Sequence, residues 1–561
     1  MDTQKLVLFL IFSTSMLFLW EAWQKETRPA PPVEATATQP SARQNETPVP
    51  GEKLASPQQN AGVPSAGNAA PAKPGGLLES GGKIVVKTDL VTAEIDTAGG
   101  DLRRLELLDH PDKGDKGKPF ALLESQYDHI YVAQSGMIGE GLPTHKTHYT
   151  AEPGTHTLAP GQDKIEVRLT APESDGVQVT KIYTFQRGKY LIDVSFEVSN
   201  QRSAPIQPFS YFQMLRDSKP PVGSFFMVPT YTGAAMYTEQ EKFKKIEFSA
   251  LDKGNASYPK TADNGWIAML QQYFLTAWLP KEKLPREYYA KRLGENQYTA
   301  GVIVPVGTIE PGKTASVTVP LYAGPEEQSK LASIAPGLDL TVDYGWLTVI
   351  GAPLFWLLSL FHSWTGNWGV AIILLTMSVK LAFFPLSAAG YRSMAKLRLV
   401  TPKLQRLREQ HGNDRQRMHE AMMQFYKTEK INPMGGCLPI LVQIPVFISL
   451  YLVLLASVEL RYAPFALWIE DLSSPDPYYV LPVIMGISMF IQSKLSPPAA
   501  DPIQAKIMQI MPLAFSVFFF FFPAGLVLYS LVNNVLSIAQ QWQITRMIES
   551  AASAMPLSKK R

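Results

Sequence analysis

The chain has 561 residues, too many for one ordinary domain. Its net charge of +3, with 18% charged and 46% hydrophobic residues, hides three unlike regions. No Lys/Arg stripe with interleaved aromatics marks a nucleic-acid surface. No G-x-S-x-G, H-E-x-x-H, Walker loop or G-x-G-x-x-G points to an enzyme, and no cofactor or metal is expected. One cysteine, Cys437, excludes an intramolecular disulfide. Lying in an apolar run with no His near it, it reads as a buried, inert thiol rather than a catalytic one.

After Lys5 comes an uncharged run, Leu6–Trp20. A cleaved signal peptide is one reading. Against it, Trp20-Glu-Ala-Trp23 offers no small-x-small cleavage site, and the two Trp suit the interface of a retained span. Residues 1–23 are expected to be an anchor with a cytoplasmic N-terminus. Residues 24–80 are rich in Pro, Ala, Gln and Gly and nearly free of large apolar residues. Such a stretch buries too little surface to offset its ordering entropy, so it reads as a flexible tether.

From Lys83 the sequence alternates. KIVVKTDLVTAEI, DKIEVRLTAP, VQVTKIYTFQRGKYLIDVSFEVS and YTAGVIVPVGTIEPGKTASVTVPLY carry apolar residues at period two between turn residues. Residues 81–335 are expected to form an antiparallel β-sandwich. At about 250 residues it can hold a core without disulfides.

The rest is mostly apolar. The loop 392–430 carries ten Lys/Arg and four acids, and the loop 458–477 one Arg and four acids. By the positive-inside rule the first is cytoplasmic and the second outside. One span must then join the outer sandwich to the basic loop. That span is 367–392, with 344–366 laid along the outer interface as an amphipathic helix. Further spans are expected at 434–458 and 478–494, with a periplasmic loop 459–477 and a cytoplasmic loop 495–506. As one helix, the next apolar run would be about 54 Å long against a hydrocarbon core of about 30 Å. It therefore divides at Pro523-Ala-Gly525 into spans 507–522 and 523–545, followed by a basic cytoplasmic tail, 546–561. The fold class is a polytopic α-helical membrane protein of six spans with a periplasmic antiparallel β-sandwich, both termini inside.

Lys380 is the one charge within a span. It either snorkels to the nearby interface or faces a water-filled groove. Thr376, four residues earlier, shares its helical face, and no intramembrane acid is available to pair with it. Gln443, Tyr529, Ser530, Asn533 and Asn534 are polar at membrane depth. Each alone is helix-packing glue; with Lys380 they line one polar surface facing the apolar AFSVFFFFF of the fifth span. In 393–433, Leu397, Val400, Leu404 and Leu407, then Met418, Met422 and Phe425, recur at helical spacing. This is a basic helical hairpin turning at 411–414. Its Arg398, Lys403, Arg406, Met418 and Met422 read as a receiving surface, or as a face lying on anionic headgroups.

The sequence resembles the YidC/Oxa/Alb family of insertases, in its Gram-negative form with a large periplasmic domain. The resemblance is carried by NWG (367–369), NPMGGCLPILVQIPVFISLY (432–451), SVELRYAPFALWIEDLSSPDPYY (457–479) and FPAGLVLYSLVNN (522–534), and by the opening MDTQK…WEAWQKE. It implies a membrane protein insertase and chaperone, with a five-helix core and a hydrophilic groove open to the cytoplasm and to lipid. It implies a periplasmic sandwich of the sugar-mutarotase type, without that activity. It implies nascent membrane proteins as substrates, with the Sec translocon and the ribosome or the signal-recognition pathway as partners. The family's groove cation falls on Lys380, usually Arg in the best-known members; Thr376, Gln443 and Tyr529 match groove-lining positions. Ser530 stands where the family often has a second Tyr. Two other readings fit the composition: a secondary transporter using Lys380, without the paired repeats such proteins show, and an envelope scaffold acting through the sandwich.

Overall fold

The computed structural model describes residues 78–112, 114–151, 156–219, 231–281, 283–411, 415–428, 438–495, 510–511, 514 and 516–554. The expected anchor, nearly all of the tether, Cys437, part of the expected fifth span and the last residues of the tail lie outside them. The chain divides into two compact units, one of Pro40–Asp343 and one containing Tyr344–Arg561.

The first unit is a sandwich of two nine-stranded antiparallel sheets. One runs, in spatial order, Lys83–Lys87, Val91–Asp96, Asp101–Pro111, Pro119–Ser125, Ile130–Ile138, Phe209–Asp217, Gln297–Pro305, Arg286–Gly294 and Thr261–Ala262. The other runs Lys242–Ile246, Gly233–Thr238, Trp266–Gln271, Phe274–Trp278, Lys313–Pro325, Leu191–Asn200, Val177–Gln186, Lys164–Thr170 and Thr150–Ala151. Alternation sets which face turns inward: in Leu191–Asn200, Ile192, Val194, Phe196 and Val198 are buried, and their neighbours are not. Phe196 and Trp278 from one sheet meet Phe212 from the other, at 5.9 and 5.1 Å between ring centres. Such aromatic layers supply much of the apolar burial that holds a sandwich without disulfides.

One charged residue crosses this interior. Lys181 is fully buried, and its Nζ donates to the carbonyls of Gly99 (3.2 Å) and Ser135 (3.1 Å) on the opposite sheet. It lies 3.9 Å from the carboxylate of Asp101, which accepts from Gln134 at 2.9 Å. Burial raises the Asp101 carboxyl above its ordinary range, against the pull of Lys181 and Arg103. Burial lowers the Lys181 ammonium, against the pull of Asp101.

In the second unit seven helices are used below: α1 Thr348–Thr365, α2 Trp368–Ala382, α3 Phe384–His411, α4 Arg415–Thr428, α5 Leu438–Ala456, α6 Val480–Leu495 and α7 Ala524–Ala554. α7 is the hub, packing on α2, α3, α5 and α6. No single helix among the described residues is long and apolar enough to cross a membrane; α2 and the first part of α3 have the length together, with a 67° bend between them. The bend falls within the expected span 367–392. α2 ends at Ala382, and 384–392 begin the long helix of the basic hairpin. Pro385 is the cause: it has no N–H to give the Leu381 carbonyl, and it disfavours helical backbone at Phe384.

Candidate functional site

α7 carries a buried polar stripe. Ser530, Asn534, Ser537 and Gln541 are spaced at four, three and four residues, one face of a helix. Lys380, in the last turn of α2, is 8% exposed, and its Nζ donates to Ser537 Oγ at 2.6 Å. Ser537 in turn donates to the Asn533 carbonyl at 2.7 Å. Among the described residues no carboxylate pairs with this ammonium. It is thus a buried cation on a neutral partner.

The other expected groove residues divide. Gln443 Nε2 on α5 donates to the Tyr529 hydroxyl on α7 at 2.7 Å, beside the Phe447 ring at 6.3 Å. Tyr529 and Ser537 are eight residues apart, so this pair lies about 12 Å along α7 from the Lys380 pair. Thr376 and Ser530 are buried, but each hydroxyl donates to the carbonyl four residues earlier, Ile372 at 2.7 Å and Leu526 at 2.8 Å. They offer size and polarity rather than a free donor. The Asn533 side-chain oxygen is buried without a hydrogen-bond partner. Ser537 and Gln541 were not among the residues expected from the sequence; Asn534 was. Asn534 donates to Ser488 Oγ (2.8 Å) and Gln541 to the Leu495 carbonyl (3.1 Å), both on α6. Extending the helical repeat from Ser530 would have found Ser537 and Gln541.

One end of the bundle is closed by a rigid loop over 457–479. Asp471 accepts from the Tyr462 and Ser473 amides and from both Ser473 and Ser474 hydroxyls. Asp476, 1% exposed, accepts from Trp468 Nε1 and from the Tyr478 and Leu481 amides, at the start of α6. The loop grips two more helix ends. Asn367, which caps α2, donates to the Phe465 carbonyl at 2.9 Å. The Ala524 and Gly525 amides, at the start of α7, donate to Ser474 (2.8 Å) and Leu472 (2.9 Å). Phe465 sits so close to Gly369 that an added Cβ would lie 2.0 Å from its ring. Gly369→Ala is therefore expected to destabilise the protein by about 1–3 kcal/mol through overpacking. A thermal unfolding scan in detergent with an unchanged midpoint would refute the fit.

Away from the stripe apolar side chains are exposed: Leu381 at 76%, with Ile487, Phe490 and Phe521. In the hairpin, Arg398, Lys403 and Arg406 are exposed. Met422 instead packs with Leu397, Phe425 and Tyr426 on Val400 and Leu404. Met422 is half-buried there, within the repeat that packs the two hairpin helices together. Met423 is the exposed methionine of α4, and the Met418 side chain lies outside the described residues. Among the described residues no three His, Cys, Asp or Glu side chains are grouped to hold a metal.

Two family models match the chain, the YidC periplasmic domain over 83–357 and the 60Kd inner membrane protein family over 360–551. A curated membrane protein insertase YidC of Nitrosospira multiformis is 81% identical, covering all of both chains. One of Nitrosomonas eutropha is 62% identical, over 99% of this chain and 91% of its own. A crystal structure described as an active YidC insertase with its first transmembrane domain resolved is 19% identical, over 83% of this chain and 93% of its own, with a TM-score of 0.39. The chain belongs to the YidC family of membrane protein insertases.

Proposed function

We propose that this chain inserts membrane proteins by receiving a polar flank between α2 and α7 while the apolar segment passes along the helices' outer faces into lipid. The observation that carries this reading is the buried Lys380 ammonium, held by a neutral hydroxyl on the hub helix rather than by an acid. A fixed ion pair would be spent; a cation on a hydroxyl remains able to attract an acidic flank. The groove shortens the hydrocarbon path of that flank, and the membrane potential drives acidic groups outward. Thr376, Gln443, Tyr529, Ser530 and Asn533 give the path its polarity.

The topology that serves this mechanism has six spans. The anchor 1–23 leads out to the sandwich 81–335, α1 lies at the outer interface, and the basic hairpin and both termini face the cytoplasm. The +6 charge of 392–430 supports that orientation. The closed loop over 457–479 then seals the outer end, and Arg398, Lys403 and Arg406 receive nascent chains from the ribosome or the signal-recognition pathway, with the Sec translocon as partner for larger substrates.

The test is insertion of a small single-span protein into liposomes containing only this chain, scored by protease protection. Insertion well above empty liposomes is expected, and deletion of 81–330 is expected to leave most of it. No insertion by the folded protein would restore the transporter reading. Loss on deletion alone, with the helical half intact, would restore the scaffold reading.

A further inference from the structure

Ser537 sits where α2, α3 and α7 meet. Its one hydroxyl proton is committed to the Asn533 carbonyl at 2.7 Å, so toward Lys380 the oxygen can only accept. The Lys380 ammonium donates to it at 2.6 Å. We propose that Ser537 is a positioning residue of the insertion reaction, holding the Lys380 ammonium toward the passage between α2 and α7 and so setting how strongly acidic flanks are preferred.

The inference rests on the reading of Lys380 as the groove charge and adds the residue that aims it. Lysine has four rotatable carbons, and a lone ammonium this near the end of α2 would sample other directions. A hydroxyl fixes one direction without neutralising the charge. Ammonium–carboxylate bonds are stronger than ammonium–hydroxyl bonds. An arriving Asp or Glu therefore displaces Ser537 or shares the ammonium with it, and the hydroxyl retakes the ammonium when the flank has passed. An Asp at 537 would instead keep the cation permanently occupied. Asn533, one turn earlier on the same face, has a buried side-chain oxygen without a partner, a second acceptor beside the path of the ammonium.

The experiment uses the full chain in proteoliposomes and two single-span substrates that differ only in the translocated flank, three Asp against three Asn. The readout is the ratio of protected acidic to protected neutral substrate. Wild type is expected to favour the acidic flank. Ser537→Ala is expected to lower that ratio severalfold, Ser537→Thr to restore it, and Ser537→Asp to bring it to the value of Lys380→Leu. A merely structural role would lower both substrates alike and leave the ratio where it was; that result, or a wild-type ratio in both Ser537→Ala and Ser537→Asp, overturns the inference. If Ser537→Ala does not fold, the Ser537→Asp and Ser537→Thr pair decides. A Lys380→Leu ratio equal to wild type sinks the groove-charge reading itself. Collapse of the ratio in Lys380→Leu with no change in the Ser537 variants sinks only the role of Ser537.

Discussion

Lys380→Leu is expected to cut insertion of a single-span substrate with an acidic flank about tenfold or more, the equivalent of about 1.4 kcal/mol. An Asp at mid-bilayer costs about 2.5–3.5 kcal/mol on insertion scales, and an opposing buried cation recovers a share of that. The buried state of Lys380 argues against simple snorkelling: its ammonium is turned onto Ser537 of α7, not outward. Lys380→Arg keeps the charge and should keep most of the activity, losing some because a planar guanidinium must fit a contact made for a compact ammonium. Protease protection in liposomes gives the comparison. Equal insertion by wild type and Lys380→Leu, with both proteins folded, would reduce Lys380 to a packing residue.

The second large effect lies in the sandwich and concerns stability. Lys181→Met should destabilise that domain by about 3–5 kcal/mol, because it leaves Asp101 buried without its cation. Asp101 already has one side-chain oxygen with no hydrogen-bond partner, and so does Tyr149 at its hydroxyl, beside the same ammonium. Adding Asp101→Leu to Lys181→Met should return much of the loss, since an apolar pair of similar volume leaves no buried charge. The pH dependence has a definite sign. Burial raises the Asp101 carboxyl, so its ionisation costs stability above its folded pKa. In Lys181→Met that cost grows, and the deficit should shrink as pH falls and Asp101 takes up a proton. Urea titration of the full chain with pulse proteolysis compares both variants with the wild type. A single-variant loss below about 1 kcal/mol would mean that the crossing cation contributes little.

Much of the architecture was readable from residue order. Half-buried strands such as Lys83–Lys87 and Leu191–Asn200 announce themselves by alternation. Trp266–Gln271 and Phe274–Trp278 do not, because every residue in both is buried and period two disappears. The crossing Lys181 stands in the inward phase of its strand, with Val177, Val179, Tyr183 and Phe185, and its charge there reads as a break in the pattern until the opposite side of the sandwich supplies Gly99 and Ser135. Lys380 and the Gln443–Tyr529 pair came from asking which polar residues stand at membrane depth. Their partners did not, since the match of Lys380 with Ser537 depends on how α2 and α7 are set side by side. Met422 shows the converse. A helical repeat identifies an apolar face, but not whether water, lipid or the neighbouring helix covers it.

Lys380 lies thirteen residues past Asn367, and Ser537 thirteen past Ala524. Both starting points are tied to the same loop by hydrogen bonds. The two helices therefore behave as the arms of a pair of tongs, joined at the loop, with the ammonium and the hydroxyl facing each other about 20 Å along each arm. At that radius a swing of about 5° parts the tips by about 1.7 Å, enough to take a hydrogen bond past its limit. Small rotations at the pinned end are thus magnified into opening or closing of the polar contact. The bend at Phe383, just beyond the tip, gives the basic hairpin a crank on one arm.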